Sequence, residues 1–174
     1  AATVNAPDTT APDIATGLSV AAGGTSLSGF GEAGATVTVR NVANQIVGSG
    51  IVGSNGQFSV SIAPAQVDGE LLTVRLTDGR GNTSEVAAIS APDLTAPDAP
   101  ATAVLNASGT LMSGPGIIGD RIVVRDPAGT QIGTTVVGLN GAWSVVLNPP
   151  QINNQLLQVT QVDLAGNVSS PLQV

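Results

Sequence analysis

Six aspartates, Asp8, Asp13, Asp78, Asp93, Asp98 and Asp163, are the side chains of this 174-residue chain best placed to do chemistry, because they form three pairs separated by 85 residues each. Carboxylates held together with no lysine to pair them repel and raise one another's pKa unless a cation intervenes, and a hard divalent ion with oxygen ligands is the usual remedy. Calcium suits Asp, Asn and carbonyl ligands drawn from flexible loops better than magnesium does, and so few carboxylates imply a dissociation constant of about 10⁻⁵ to 10⁻³ M. The chemistry on offer is therefore cation binding. Catalysis is not: the sequence contains no His, Cys, Lys or Tyr, so the common general bases, thiolate nucleophiles, Schiff-base lysines and zinc ligands are missing.

The same 85-residue shift lays the whole chain on itself without a gap. Ala11-Pro12-Asp13 falls on Ala96-Pro97-Asp98, Asn55-Gly56 on Asn140-Gly141, and Asp78-x-x-Gly81-Asn82 on Asp163-x-x-Gly166-Asn167. Ala6 to Asp13 (APDTTAPD) matches Ala91 to Asp98 (APDLTAPD), and Thr3-Val4 matches Ala88-Ile89. Two copies of one module result, as in a slice of a longer array: residues 1–5 as a remnant of a preceding repeat or a lead-in, 6–90 as repeat 1 with linker 6–13, and 91–174 as repeat 2 with linker 91–98.

Within each copy apolar residues recur at every second position: Val37 and Val39; Phe58, Val60 and Ile62; Leu72, Val74 and Leu76. This is the period of a half-buried strand. Turn signals stand between the runs, among them Asn55-Gly56, which favours a tight hairpin. Seven strands follow, over residues 14–20, 25–30, 36–41, 45–52, 57–62, 70–77 and 83–90. The fold expected is all-β: two tandem immunoglobulin-like sandwiches of about seven strands each, without the disulfide, joined by a short Pro-rich linker. Copy two repeats the pattern except at Gln161, which replaces Leu76 and predicts a last strand that shifts or faces solvent there.

Antiparallel strands alternate in direction, so the start of the first strand and the loops joining strands two to three, four to five and six to seven share one end of a sandwich. Asp13 and Asp78 are expected at that end with Asp8 arriving from the linker, and Asp93, Asp98 and Asp163 are expected to converge likewise at the second copy. The copies control for each other. Of the 79 positions aligned between residues 11–89 and 96–174, 29 are identical, so most surface positions have drifted. The three aspartate pairs persist, whereas Glu32, Asp68, Glu70 and Glu85 face Ile117, Asn153, Gln155 and Ser170, and Asp120 and Asp126 face Ala35 and Asn41. Solubility alone would not fix carboxylates in place. Turn chemistry could: Asp and Asn side chains bond to nearby backbone N–H groups with no metal involved. Both readings stay open, and Asn82 and Asn167 are read as turn formers. Phe58 and Trp143 are expected in the core, and Arg40 and Arg125 at strand ends on a carboxylate or carbonyl.

Charge narrows the partners. Twelve acidic residues against five arginines give a net charge of -7, which repels nucleic acid and anionic membranes. No apolar run approaches the length of a membrane span, and the first residues lack the plan of a signal peptide. No membrane insertion and no nucleic-acid partner are expected. With no cysteine, stability has to come from core, length or metal.

The linker APDLTAPDAP at Ala91 to Pro100, the stretch Gly34-Ala35-Thr36-Val37, Asn140-Gly141-Ala142-Trp143-Ser144-Val145, and Asp163-Leu164-Ala165-Gly166-Asn167-Val168-Ser169 resemble the bacterial Ig-like repeats of giant surface adhesins, such as the biofilm-associated proteins of Gram-negative bacteria. The resemblance covers both copies from about Ala6 onward. It implies an extracellular stalk on a bacterial cell surface, serving adhesion and biofilm formation, with Ca2+ at the joints. Copy one departs from the pattern at Asp78-Gly79-Arg80-Gly81, where an arginine would weaken a cation site by repulsion. The partners implied are neighbouring repeats of the same chain and the same protein on adjacent cells, with this fragment monomeric. Direct homotypic adhesion is the alternative role; a glycan-binding module is a further one, disfavoured by the three aromatic residues of the chain, too few for an exposed stacking platform.

Overall fold

The computed structural model describes residues 7–174; Thr3-Val4 and the start of the first linker at Ala6 lie outside the described residues. The chain divides between Leu94 and Thr95 into two units. All regular elements among the described residues are strands.

The first unit contains β1 (Thr16–Val20), β2 (Ser26–Phe30), β3 (Thr36–Arg40), β4 (Ile46–Ile51), β5 (Gln57–Ser61), β6 (Leu71–Thr77) and β7 (Ala87–Ser90). They form a sheet in the order β1-β2-β5 and another in the order β4-β3-β6-β7, with antiparallel pairing throughout. The period-two pattern explains why the sheets stack. Val37 and Val39 of β3, Phe58 and Val60 of β5, and Leu72, Val74 and Leu76 of β6 all turn inward into one core, while their neighbours along each strand stay exposed or half-buried. This is the seven-stranded immunoglobulin-like sandwich the spacing predicts.

The second unit repeats the plan with β8 (Val104–Leu105), β9 (Leu111–Pro115), β10 (Arg121–Arg125), β11 (Gln131–Val136), β12 (Ala142–Val146), β13 (Gln158–Val162) and β14 (Leu172–Gln173). Its sheets run β12-β9-β8 and β11-β10-β13-β14. Trp143 occupies the slot of Phe58 and is 3% exposed, its indole N–H donating to the Pro115 carbonyl at 2.9 Å. Both aromatics are core residues, as expected. Arg40 and Arg125 donate to the carbonyls of Asn44 and Gly129 at 2.7 and 3.0 Å, closing the turns that follow their strands.

Two features correct the sequence reading. Gln161 neither shifts its strand nor faces solvent: Ile122 pairs with Gln161 as Val37 pairs with Leu76, and Gln161 is 1% exposed. Local pairs hold the amide inside, since its Oε1 accepts the Ile117 N–H at 3.1 Å. The last strand of the first unit starts at Ala87 rather than near residue 83. The reason is Ser84, which turns inward, accepts the Leu76 N–H at 3.0 Å and donates to the Glu85 carbonyl at 2.7 Å. Ser169 does the same for Gln161 N–H and the Ser170 carbonyl, both at 2.9 Å. Each hydroxyl satisfies a buried backbone donor that the ladder leaves free. Ser169→Ala should therefore destabilise the second unit by about 1–3 kcal/mol, the cost of an orphaned buried N–H; a denaturant midpoint unchanged from wild type would show that the hydroxyl is dispensable.

Candidate functional site

The loops after β2, β4 and β6 meet at one end of the first unit. Gly31 N–H donates to the Gly56 carbonyl at 3.0 Å, and Val52 N–H to the Ala35 carbonyl at 2.9 Å. The Asp78–Asn82 hairpin closes the same end. Its carboxylate is an organiser: Asp78 Oδ1 accepts the backbone N–H groups of Arg80 and Asn82 at 2.8 and 2.9 Å, and Oδ2 accepts the Asn82 side chain at 2.7 Å. Asn82 Nδ2 also donates to the Asp8 carbonyl at 3.2 Å, which brings the incoming linker onto the hairpin. Asp8 Oδ1 caps its own turn by accepting the Thr10 N–H at 3.0 Å. Asp13 stands exposed nearby in the chain.

The turn role foreseen for Asn82 and Asn167 is thus realised, and the same geometry recurs in the second unit, where Asn167 donates its backbone and side-chain N–H groups to Asp163 at 2.8 and 2.9 Å. The hydrogen bond from the Asn82 side chain, helped by backbone N–H groups, holds the Asp78 carboxyl below its ordinary pKa against the opposing effect of burial. For Asp163 burial is the largest influence and pushes upward, but the combined hydrogen bonds from Asn167, Gly166 and Ala165 outweigh it and hold the carboxyl below its ordinary pKa. A depressed carboxylate stabilises the fold above its unfolded pKa and loses that contribution as the pH falls through its folded value. Both hairpins are accordingly anionic at neutral pH and weaken in acid.

The remaining aspartates of the six, Asp93 and Asp98, fall in different units. Asp93 belongs to the first unit, where the outgoing chain is laddered onto the loop before β6: Ala91 N–H donates to the Glu70 carbonyl at 2.9 Å, Gly69 N–H to Pro92 at 3.2 Å and Leu94 N–H to Val67 at 2.7 Å. Asp68 and Asp93 pair across this short ladder. Asp98 lines a 260 Å³ hollow in the second unit with Pro100, Pro115, Ile117 and Gln161. Among the described residues no three acidic side chains gather into a group that could hold a metal ion.

One acidic residue that the copy comparison set aside is the most buried of all. Asp120 is 6% exposed and lies immediately before β10, one residue from the Arg121–Val162 pair that Asp163 follows at the end of β13. Burial and then the charge of Asp163 push its carboxyl above the ordinary value, with a hydrogen bond from Gln161 opposing. Its Oδ2 has no hydrogen-bond partner. The sequence did contain a signal: the first unit has Ala35 and Leu76 where the second has Asp120 and Gln161, a coordinated change from apolar to polar at two touching positions.

The family comparison comes to the same architecture. The model of the bacterial Ig domain family matches residues 11–93 and again residues 96–174. A solved structure titled "Biofilm associated protein - BSP domain" aligns with 95% of this chain at 24% identity and a TM-score of 0.38, and the chain spans 28% of that structure's length. No curated protein matches.

Proposed function

This chain belongs to the bacterial Ig domain family, and from that premise we propose that it is a pair of spacer repeats from the extracellular stalk of a bacterial surface adhesin that serves biofilm formation, without enzymatic activity of its own. The observation that carries the reading is the treatment of the linker in the first unit. The incoming segment is bonded through the Asp8 carbonyl to Asn82, and the outgoing segment is laddered from Ala91 to Leu94. Both ends of the repeat are tied to its loops by backbone groups, which suits a stalk of limited hinge freedom. Prolines at positions 7, 12, 92, 97 and 100 restrict the same segments further.

Calcium completes the proposal. Asp8, Asp13 and Asp78 would supply oxygen ligands to the first repeat, and Asp93, Asp98 and Asp163 to the second. The ion would neutralise carboxylates that have no lysine nearby in the sequence and would favour the folded, linker-docked state. Support comes from the anionic hairpins and from the unpartnered Asp120 oxygen beside Asp163. An ion bound only by the folded state stabilises it by RT ln(1 + [Ca]/Kd), about 2.7 kcal/mol when calcium stands at 100 times Kd. The melting temperature of the fragment should therefore be higher in millimolar calcium than in chelator, with the gain reduced in Asp163→Asn. Identical melts in the two buffers would remove calcium from the account.

A second reading rests on edge strand β4, where Ile46 and Ile51 are exposed. An exposed apolar edge invites pairing with another copy, and homotypic adhesion would appear as concentration-dependent dimerisation in sedimentation.

A further inference from the structure

We infer that the outer face of the first unit's four-stranded sheet binds a short acidic oligosaccharide, whose carboxylate is taken by Arg40 and Arg75. Val37, Val39, Leu72, Val74 and Leu76 turn into the core, so the residues between them, Thr38 and Arg40 on β3 and Thr73, Arg75 and Thr77 on β6, project from the opposite side. Register sets their spacing. Thr38 pairs with Arg75 and Arg40 with Thr73, which makes the two arginines diagonal neighbours about 7–8 Å apart at the backbone. Asn44, Thr83 and Val86 complete the lining of a 520 Å³ hollow over this face, within the range of about 300–1,000 Å³ usual for small-molecule sites. Thr83 bridges to Thr77 outside the regular ladder, in the stretch that precedes β7.

The lining fixes the chemistry of the occupant. No carboxylate borders the hollow, although the chain has twelve acidic residues and only five arginines. Arg40 gives one N–H to the Asn44 carbonyl at 2.7 Å and keeps the rest of its fork. Arg75 is exposed, and among the described residues it forms no ion pair and no side-chain hydrogen bond. A guanidinium offers five donors in a fixed plane that match a carboxylate in pairs. Around the arginines stand the hydroxyls of Thr38, Thr73, Thr77 and Thr83, each able both to donate and to accept, as the hydroxyls of a sugar require. The net charge of -7 repels densely charged polymers, which leaves a uronic-acid type of sugar with few, spaced carboxylates. Such a site needs no aromatic platform.

The second unit serves as the control. It keeps Arg125 at the position of Arg40 but has Val123, Thr160, Val162 and Val168 where the first has Thr38, Arg75, Thr77 and Thr83. Val123 and Val162 are buried there. Three threonines become valine together with the loss of the second arginine, a joint change across one face that points to a shared role in the first unit. This inference goes beyond the spacer reading and does not depend on calcium.

Titration of trigalacturonate into the isotope-labelled 174-residue chain, in chelator so that calcium bridging plays no part, tests it by amide chemical shifts. The shifts should saturate and cluster at Thr38, Arg40, Thr73 and Arg75, with the second unit silent. Arg75→Thr installs the second unit's residue at an exposed position, so the amides of Val37, Leu72 and Val74 should keep their native shifts. Its affinity should fall by about tenfold or more, because a charged hydrogen bond is lost. Maltotriose, a neutral trisaccharide, should bind more weakly by a similar factor. The site would be overturned by the absence of saturable shifts at millimolar trigalacturonate, by shifts centred elsewhere, by undiminished affinity in Arg75→Thr, or by equal binding of maltotriose. Shifts at the same amides that grow with protein concentration in the absence of sugar would show that an acidic segment of a second copy takes this face, and would overturn it too.

Discussion

Gly109→Ala should unfold the second unit at temperatures the wild type withstands. Gly109 has φ +66°, and a Cβ there would stand 2.2 Å from the Gln151 carbonyl oxygen, a backbone atom that cannot swing aside. The carbonyl of Gly109 in turn accepts the Gln151 N–H at 2.8 Å, and the buried Gln151 side chain donates to the Pro149 carbonyl at 2.7 Å. The left-handed conformation alone costs an L-residue about 1–2 kcal/mol, and displacing the Gln151 backbone from its bonds brings the total to about 3 kcal/mol or more. In a unit of this size each 1 kcal/mol lowers the melting temperature by about 4–8 °C, so the Trp143 transition should fall by more than ten degrees or so. Gly24 repeats the geometry in the first unit at φ +64° and 2.0 Å from the Gln66 carbonyl oxygen. Gly24→Ala should therefore destabilise the first unit alone. An Ala variant at either position with wild-type stability would mean that the loop before β6, or its equivalent before β13, can move without loss.

Leu72→Ala is the second large effect. Leu72 is fully buried at the centre of the first core, on β6 between the β3 and β7 partners. Removing three carbons from such a site leaves a cavity and costs about 2–5 kcal/mol. Because each unit has its own hydrophobic cluster, calorimetry should split the unfolding into two transitions, with the one followed by Trp143 fluorescence unmoved. Leu157→Ala should do the converse. A Trp143 transition that falls in step with Leu72→Ala would show that the two cores do not unfold independently.

The architecture was readable because strand periodicity is a local property. Alternation at Val37–Val39, Phe58–Ile62 and Leu72–Leu76 places whole strands to within a residue or two, and Asn-Gly and Asp-x-x-Gly-Asn mark where they reverse. What escaped reading depends on partners far apart in the sequence. Ser84 looks like one more polar residue of a strand, and only the fold shows its hydroxyl substituting for a missing ladder bond at Leu76. Gln161 looks like a defect in the alternation until Ile117, Gln161 and Asp120 are seen together. Asp93 reads as part of the second repeat's linker, yet the backbone bonds around it run to Val67, Gly69 and Glu70.

Comparing the two copies found the hairpin aspartates for a sound physical reason: Asp78 and Asp163 each organise a turn through both carboxylate oxygens, and drift at either position would undo it. The same logic passed over Asp120. Retention between copies detects what both repeats need and is blind to a residue that only one of them uses. The informative signal there was not one position but two, the joint exchange of Ala35 and Leu76 for Asp120 and Gln161, and its meaning required knowing that these positions touch.

In the proposed function calcium fastens the linkers of a tandem spacer. Small-angle X-ray scattering of the fragment in millimolar calcium and in chelator tests it most directly, because the distance distribution responds to hinge freedom and to metal together. The account predicts a narrower distribution in calcium, reverting on chelation and blunted in Asp163→Asn. Superimposable scattering curves in the two buffers, for the wild type as for the variant, would contradict it.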